Sequence, residues 1–165
     1  MLNLYIDFDG VILDTINSTY RTIDELGIAK DQEKIKAFYA TLNWKELLED
    51  SPIINDAFGC IEKIIESNKF NVAILTHVIS LEEAVQKVKY IRKYFKDITI
   101  IPVPKAISKT KMVHTKGAIL IDDYSGNLRE WEDEGGIGIR FSTKLNGKGF
   151  RVIDKLDQIL DMELV

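Results

Sequence analysis

The chain has 165 residues, of which 45% are hydrophobic, so it is long enough for one compact domain with a buried core and a small insert. Its 22 Lys and Arg residues against 26 Asp and Glu residues give a net charge of −4, which argues against a protein that binds duplex nucleic acid through a clustered basic face. The single cysteine, Cys60, excludes an intrachain disulfide, and the apolar run at residues 1–6 is far shorter than the ~20 residues of a membrane span, so we expect a cytoplasmic protein with no membrane partner.

Short apolar runs alternate along the chain with segments of helical spacing. The runs are rich in Ile, Val, Leu and Phe, as expected of strands buried on both faces, and they lie at 2–6, 70–75, 98–103, 118–121 and 137–141. Between them, apolar residues recur at three- and four-residue steps over 54–65 and 81–95, which is the spacing of one helix face. This order predicts an α/β fold with a Rossmann-like, doubly wound parallel sheet.

The segment 15–50 departs from this alternation. Its apolar residues have helical spacing without a strand between them, whereas a doubly wound fold normally places a single helix after its first strand. We therefore expect residues 15–50 to form a small helical cap, inserted into a core domain made of residues 1–14 and 51–165.

The sequence Asp7-Phe8-Asp9-Gly10 follows the first predicted strand directly. Open α/β sheets bind ligands at the carboxyl ends of their strands, and two carboxylates at i and i+2 can be splayed so that one meets a metal while the other handles a proton. Gly10 permits a sharp turn that brings its backbone amide near an anion. The alternative interpretation is a strand that ends in an Asp-Gly turn, with both acids serving as turn residues.

Asp122 and Asp123 end another buried run, at 118–121, and are expected at the same edge of the sheet. With Asp7 and Asp9 they make four carboxylates, whose mutual repulsion and desolvation usually imply a bound cation. Because the ligand atoms are all oxygens, the expected metal is Mg²⁺. Either acid pair, taken alone, is also compatible with two solvated loop residues.

Thr76 and His77 follow the run at 70–75 and are expected at this edge as well. The Thr76 hydroxyl and the neighbouring amides, including that of His77, are candidate ligands for phosphate oxygens. The His77 ring is a possible acid or base, but we expect it to bond to a loop, which is the commoner case.

Three lysines, Lys105, Lys109 and Lys111, follow the run at 98–103 and compete for a single role, the neutralisation of the acids and of an incoming phosphate. Ser108 is a candidate N-cap, which would place Lys109 at the start of a short helix near the anion. We therefore select Lys109, and expect at least two of the three lysines to be solvated.

Taken together, these motifs resemble those of the haloacid dehalogenase-like (HAD) superfamily of phosphatases, which use an aspartate nucleophile. Residues 7–15 are similar to its first motif, residues 74–76 to its second, one lysine of 105–111 to its third and residues 120–123 to its fourth. The four motifs occur in the family's order and frame most of the chain between residues 2 and 141.

The resemblance implies a mechanism for this chain. Asp7 would attack phosphorus, and Asp9 would protonate the leaving oxygen and then activate water. Mg²⁺ would be held by the Asp7 carboxylate, the Asp9 backbone carbonyl and Asp123, with Asp122 nearby. Thr76 and the lysine would bind the phosphoryl oxygens, in keeping with the dominance of positioning and charge neutralisation in phosphoryl transfer.

Within the superfamily, the short helical insert and the Ile-Asp-Asp ending are similar to the 5'(3')-deoxyribonucleotidase group, which implies a nucleoside monophosphate as substrate. Trp44, at the expected junction of two cap helices, is our candidate for stacking on the base, although aromatic residues at helical spacing also build the core of a cap.

The alternatives are a phosphatase of another small phosphorylated metabolite, a phospho-receiver domain and a non-catalytic binding domain. A receiver places its phosphoacceptor on a middle strand, whereas here the D-x-D motif comes first. The sequence leaves the oligomeric state open.

Overall fold

The computed structural model describes residues 1–164. The strands are β1 (Leu2–Ile6), β2 (Phe70–Val78), β3 (Thr99–Pro104), β4 (Ile119–Asp122), β5 (Ile137–Phe141) and β6 (Arg151–Ile153). The helices are α1 (Thr15–Glu25), α2 (Gln32–Ala40), α3 (Trp44–Asp50), α4 (Ala57–Glu66), α5 (Leu81–Arg92) and α6 (Ser125–Asp133), with 3₁₀ turns at Lys109–Lys111 and Leu156–Asp161. Among the residues described, each helix is too short or too polar to cross a bilayer.

All six strands form one sheet in the order β3-β2-β1-β4-β5-β6, and every neighbouring pair is parallel. This is the strand order of a doubly wound sheet whose two halves diverge from a central strand. The predicted α/β, Rossmann-like fold is confirmed.

Two strands differ from the sequence-based prediction by more than a shift of one residue, whereas β3 and β4 each lie one residue later than the runs at 98–103 and 118–121. β2 continues past the apolar run to Val78, because Thr76 pairs with Pro102 and His77 with Val103 of β3. Thr76 therefore lies inside a strand rather than after one. The short strand β6 was not predicted, since its three residues are too few to show a period.

The core divides between the two faces of the sheet, as alternation along a strand requires. On one face, Leu4, Ile6 and Ile74 pack against residues of α4, α5 and the 156–161 turn. On the other, Leu75 and Leu120 pack against Leu128 and Trp131 of α6. Helices thus cover both faces.

Residues 15–50 form the three helices α1, α2 and α3. Each begins at a side chain that accepts a backbone N–H, namely Asp14, Asp31 and Asn43, so the local sequence sets all three starts. α3 packs against α1 and against α5 of the core. α2 has no fully buried residue, and its residues Lys36, Tyr39 and Ala40 line an open cleft.

Candidate active site

The ends of β1 and β4 lie at the centre of the site. β1 pairs with β2 on one side and with β4 on the other, and ligands of doubly wound sheets bind at such a topological switch point. The backbone N–H of Asp7 donates to the carbonyl of Ile121 at 2.9 Å, and Asp122 is the last residue of β4. The strand pairing therefore brings Asp7 next to Asp122 and Asp123.

Asp7, Asp122 and Asp123 form a cluster in which one oxygen from each carboxylate lies within 4.8 Å of the others. Lys109 Nζ donates to Asp7 Oδ1 at 2.9 Å and to Asp122 Oδ2 at 2.8 Å. Burial and the Asp122 charge raise the pKa of Asp7 well above its ordinary value, and the same two causes raise the pKa of Asp123 to about 7. One lysine therefore does not offset the negative charge of three crowded carboxylates.

Asp122 and Asp123 are adjacent in sequence but have different surroundings. The Asp122 carboxylate is fully buried and accepts from Lys109, from the Asn127 side chain at 3.0 Å and from the Tyr124 backbone N–H at 2.9 Å. Burial raises the pKa of Asp122, but Lys109 and the other donors lower it to below its ordinary value. Asp123 is partly exposed, so its carboxylate is the more accessible of the two to a metal ion.

Gly10 allows the backbone to pass close to Asp123. Its φ of +76° is in the left-handed region, and a Cβ at this position would lie 2.1 Å from Asp123 Oδ2. The Gly10 N–H donates to the carbonyl of Leu13 at 2.9 Å. The expectation that this amide faces an anion is therefore corrected: the site uses the missing side chain of Gly10, since its N–H is already paired with the backbone.

Of the three candidate lysines, Lys109 is the one that the structure brings to the acids. It is 2% exposed, whereas Lys105 and Lys111 are exposed to solvent. Ser108 caps the Lys109–Lys111 turn, as its spacing predicted, by accepting the Thr110 N–H. Burial lowers the pKa of Lys109, but the charges of Asp7 and Asp122 have a larger effect and raise it to above its ordinary value. The ammonium therefore stays protonated.

The Asp9 carboxylate lies outside the three-acid cluster. Its Oδ1 accepts from the Thr15 hydroxyl at 2.6 Å, and its Oδ2 accepts from Lys87 Nζ, also at 2.6 Å. Lys87 belongs to α5 and was not among the residues selected from the sequence. The available signal was its spacing, because Lys87 lies three residues after Ala84 and four before Ile91, on the apolar face of its helix.

Lys87 is 0% exposed and is surrounded by acceptors. Besides Asp9, its Nζ lies 2.7 Å from Glu83 Oε2, 2.9 Å from Thr76 Oγ1 and 3.1 Å from the His77 carbonyl. Burial lowers the pKa of Lys87, but Asp9 and Glu83 raise it to above its ordinary value. The Lys87 ammonium is therefore held between Asp9, the second acid of the D-x-D motif, and Thr76, which is itself fully buried.

The His77 ring bonds to a loop, as expected from the sequence. Its Nε2 lies 2.8 Å from the carbonyl oxygen of Ile107. Burial is the main cause that lowers the pKa of His77, so the ring is neutral at physiological pH, with Nε2 as the donor. The ring lines the same cleft as Asp9.

This cleft has a volume of about 790 Å³ and extends from Asp9 to the helices of the insert. Tyr20, Tyr39 and Trp44 are among the residues of the insert that line it, and Lys105 contributes from the core. Trp44 is the first residue of α3 and is 9% exposed, so most of its ring is packed and the remainder borders the cleft.

Comparison with known proteins adds a structural relationship to this geometry. No protein-family model matches the sequence, and no curated protein sequence matches it. A HAD-superfamily hydrolase of subfamily IA from Geobacter sulfurreducens has a TM-score of 0.64 and 13% identity over 98% of this chain and 99% of that one. A HAD hydrolase of family IA from Entamoeba histolytica has a TM-score of 0.62 and 14% identity over 96% of this chain and 95% of its own.

A third structure is that of D,D-heptose 1,7-bisphosphate phosphatase from B. bronchiseptica, complexed with magnesium and phosphate. It has a TM-score of 0.59 and 13% identity, covering 98% of this chain and 99% of its own length. At these identities the likeness establishes a shared fold, which confirms the sequence-based resemblance at the level of architecture.

Proposed function

We propose that this chain is a Mg²⁺-dependent phosphohydrolase of the HAD type, in which Asp7 forms an aspartyl-phosphate. The observation that carries the proposal is the position of Asp7. It lies at the switch point of a sheet with the fold of HAD hydrolases, with Lys109 on one oxygen and Asp123 beside it. A carboxylate that could act as the nucleophile, an ammonium that could bind the phosphoryl group and acids that could hold a metal ion are thus within one cluster.

The donor set suits Mg²⁺. Three carboxylates and one ammonium leave two negative charges, which one divalent cation would neutralise. The ligand atoms are oxygens, and Mg²⁺ is usually bound by one or two carboxylates together with water and substrate phosphate. Asp7, the Asp9 backbone carbonyl and Asp123 would hold the ion, with Asp122 orienting Lys109. When bound, Mg²⁺ would offset the charge of the phosphate and of the attacking carboxylate.

The reaction has two steps. In the first, a carboxylate oxygen of Asp7 bonds to phosphorus, the ester P–O bond breaks, and Asp9 gives a proton to the leaving oxygen. In the second, Asp9 takes a proton from water as the water oxygen attacks phosphorus, the bond between phosphorus and Asp7 breaks, and inorganic phosphate leaves. Asp9 is 29% exposed at its side chain and lines the cleft, where it would reach both the leaving oxygen and the water.

Lys109 and Thr76 would bind the phosphoryl oxygens. Lys109 already donates to Asp7, so a phosphoryl group bonded to that carboxylate would lie within reach of the ammonium. Thr76 Oγ1 accepts from Lys87 and donates to the His77 carbonyl at 3.4 Å, a long bond that donation to a phosphoryl oxygen would replace.

For the substrate, we propose a nucleoside monophosphate, and that residues 15–50 act as the cap that receives its base. A volume of about 790 Å³ suits a ligand larger than phosphate alone. The aromatic residues of the cleft, with Trp44 as our choice, offer flat surfaces for a base. A phosphatase of another small phosphorylated metabolite is the alternative.

The chemistry is tested by hydrolysis of p-nitrophenyl phosphate with Mg²⁺ and with chelator. Asp7→Asn nearly preserves volume and should abolish turnover, while Asp24→Asn, on the exposed surface of α1, should not. Beryllium fluoride with Mg²⁺ should place beryllium on Asp7. Near-normal turnover by a folded Asp7→Asn protein would refute the nucleophile, and failure of the wild-type protein to turn over any phosphomonoester would leave only a binding domain.

The substrate class is tested separately by phosphate release from nucleoside monophosphates, sugar phosphates and small acyl phosphates. We expect the highest kcat/KM for a deoxynucleoside monophosphate. A higher value for a sugar phosphate would replace the nucleotidase proposal with that of a small-metabolite phosphatase and leave the mechanism intact.

A further inference from the structure

Lys87 is a buried cation that the two-step mechanism does not use. Its Nζ has four acceptors, namely Asp9 Oδ2 at 2.6 Å, Glu83 Oε2 at 2.7 Å, Thr76 Oγ1 at 2.9 Å and the His77 carbonyl at 3.1 Å, so each of the three ammonium hydrogens has a partner. Removing an ammonium from water is costly unless it is paired and fully hydrogen-bonded, and here both conditions are met.

The start of α5 fixes the position of Lys87. Ser80 Oγ accepts the Glu83 N–H, and Glu83 Oε1 accepts the Ile79 N–H at 2.7 Å, so the Glu83 carboxylate is anchored to the backbone just before the helix. Its other oxygen binds Lys87 one turn later. Glu83 at the start of α5 and Thr76 on β2 therefore fix the position of the Lys87 ammonium independently of its contact with Asp9.

Asp9 is held from two directions. Thr15, the first residue of α1, binds one carboxylate oxygen and Lys87 binds the other, while the side chain remains 29% exposed to the cleft. Each carboxylate oxygen has a second lone pair, so both contacts restrict rotation of the group without using up its acceptors. An acid-base group must be held close to its productive geometry, because small displacements are costly to the rate.

We propose that Lys87 is a positioning residue that orients the Asp9 carboxylate toward the reacting oxygen, with Glu83 and Thr76 holding the ammonium in place. This role rests on the proposed function. It predicts that the rate cost of removing Lys87 depends on the presence of the Asp9 carboxylate, whereas a purely structural role predicts the same cost with or without it.

The test is a double-mutant cycle with p-nitrophenyl phosphate and saturating Mg²⁺. Lys87→Met in the wild-type background should lower kcat by about 10- to 100-fold, the usual cost of removing a group that orients a catalytic side chain, with little change in KM. In the Asp9→Asn background the same substitution should change kcat by less than about twofold. Lys89→Met, on the exposed surface of α5, is the matched control and should leave kcat unchanged in both backgrounds.

Lys87→Met leaves Glu83 buried without its partner, so Glu83→Gln combined with Lys87→Met serves as a neutral second variant if the single one does not fold. Equal losses of kcat in the two Asp9 backgrounds would overturn the positioning role while leaving the proposed function standing. Absence of Mg²⁺-dependent turnover in the wild-type protein would overturn the proposed function and the positioning role with it.

Discussion

Substitution of Gly10 by alanine gives a sharp test of the proposed metal site. A Cβ at residue 10 would lie 2.1 Å from Asp123 Oδ2 and 2.8 Å from Asp123 Cγ, whereas Cβ contacts below 3.0 Å are essentially never seen. One of the two groups must therefore move by about 0.9 Å. Metal–ligand distances tolerate only about 0.2 Å, so Asp123 cannot keep the same position as a ligand.

Gly27→Ala is the matched control. Gly27 has a φ of +69°, close to the +76° of Gly10, but a Cβ there meets no atom within 4 Å. Both variants should lose about 1–2 kcal/mol of stability from a left-handed alanine. Only Gly10→Ala should also weaken Mg²⁺ binding, by at least about tenfold, or about 1.4 kcal/mol.

The assay is calorimetric titration of each protein with Mg²⁺, together with thermal unfolding in the absence of metal. Gly27→Ala should bind Mg²⁺ like the wild-type protein. If folded Gly10→Ala binds Mg²⁺ as tightly as Gly27→Ala does, Asp123 is not a metal ligand at this position, and the proposed donor set is wrong.

Five further results are expected. Asp123→Asn should weaken Mg²⁺ binding more than Asp122→Asn in titrations, while Asp122→Asn should be the more destabilising in thermal unfolding because it disrupts a buried bond to Lys109. Lys109→Met should lower kcat/KM on p-nitrophenyl phosphate by about 10²- to 10³-fold and exposed Lys105→Met very little, and equal losses would refute the choice of Lys109. Because the pKa of Asp123 is about 7 without metal, protons compete with Mg²⁺ below that pH, so the apparent dissociation constant should rise by up to about tenfold per pH unit. The same raised pKa means that the folded protein keeps a proton that the unfolded chain loses near pH ~4, so stability without metal should fall as the pH rises from about 4 to about 7 and Mg²⁺ should restore it. Trp44→Ala should raise KM for a deoxynucleoside monophosphate about 5- to 100-fold, from a stacking energy of ~1–3 kcal/mol, and an equal loss on p-nitrophenyl phosphate would place Trp44 in the core of the cap.

Elements whose signal is local were predictable from the sequence. The runs at 2–6 and 137–141 coincide with β1 and β5, since a strand buried on both faces needs only a continuous apolar segment. The helices α4 and α5 follow their three- and four-residue spacing, and Ser80 caps α5. The D-x-D and Asp-Asp motifs were recognisable for the same reason, because each directly follows or ends an apolar run.

Contacts between distant segments required the tertiary structure. The sequence favoured Lys109 over Lys105 and Lys111 only through the neighbouring Ser108 cap, and the fold shows that Lys109 turns inward to Asp7, more than a hundred residues earlier in the chain. The position of Thr76 inside β2 depended in the same way on its pairing with β3. A single-residue step along a strand or turn reverses the direction of a side chain, and that step is smaller than the uncertainty of any boundary read from a pattern.

The class of fold and the residue types available for chemistry could be inferred from the amino-acid sequence, because hydrophobic period and motif order are properties of short segments. The different surroundings of Asp122 and Asp123, the close approach of Gly10 to Asp123 and the contact of Lys87 with Asp9 became visible only in the folded chain. All three depend on which groups from distant segments are buried next to one another. A buried charge is destabilising unless it is paired, and a missing side chain matters only where a neighbour occupies its space. In the sequence, Lys87 is only a lysine on the apolar face of α5. Its pairing with Asp9, Glu83 and Thr76 exists only in the folded chain.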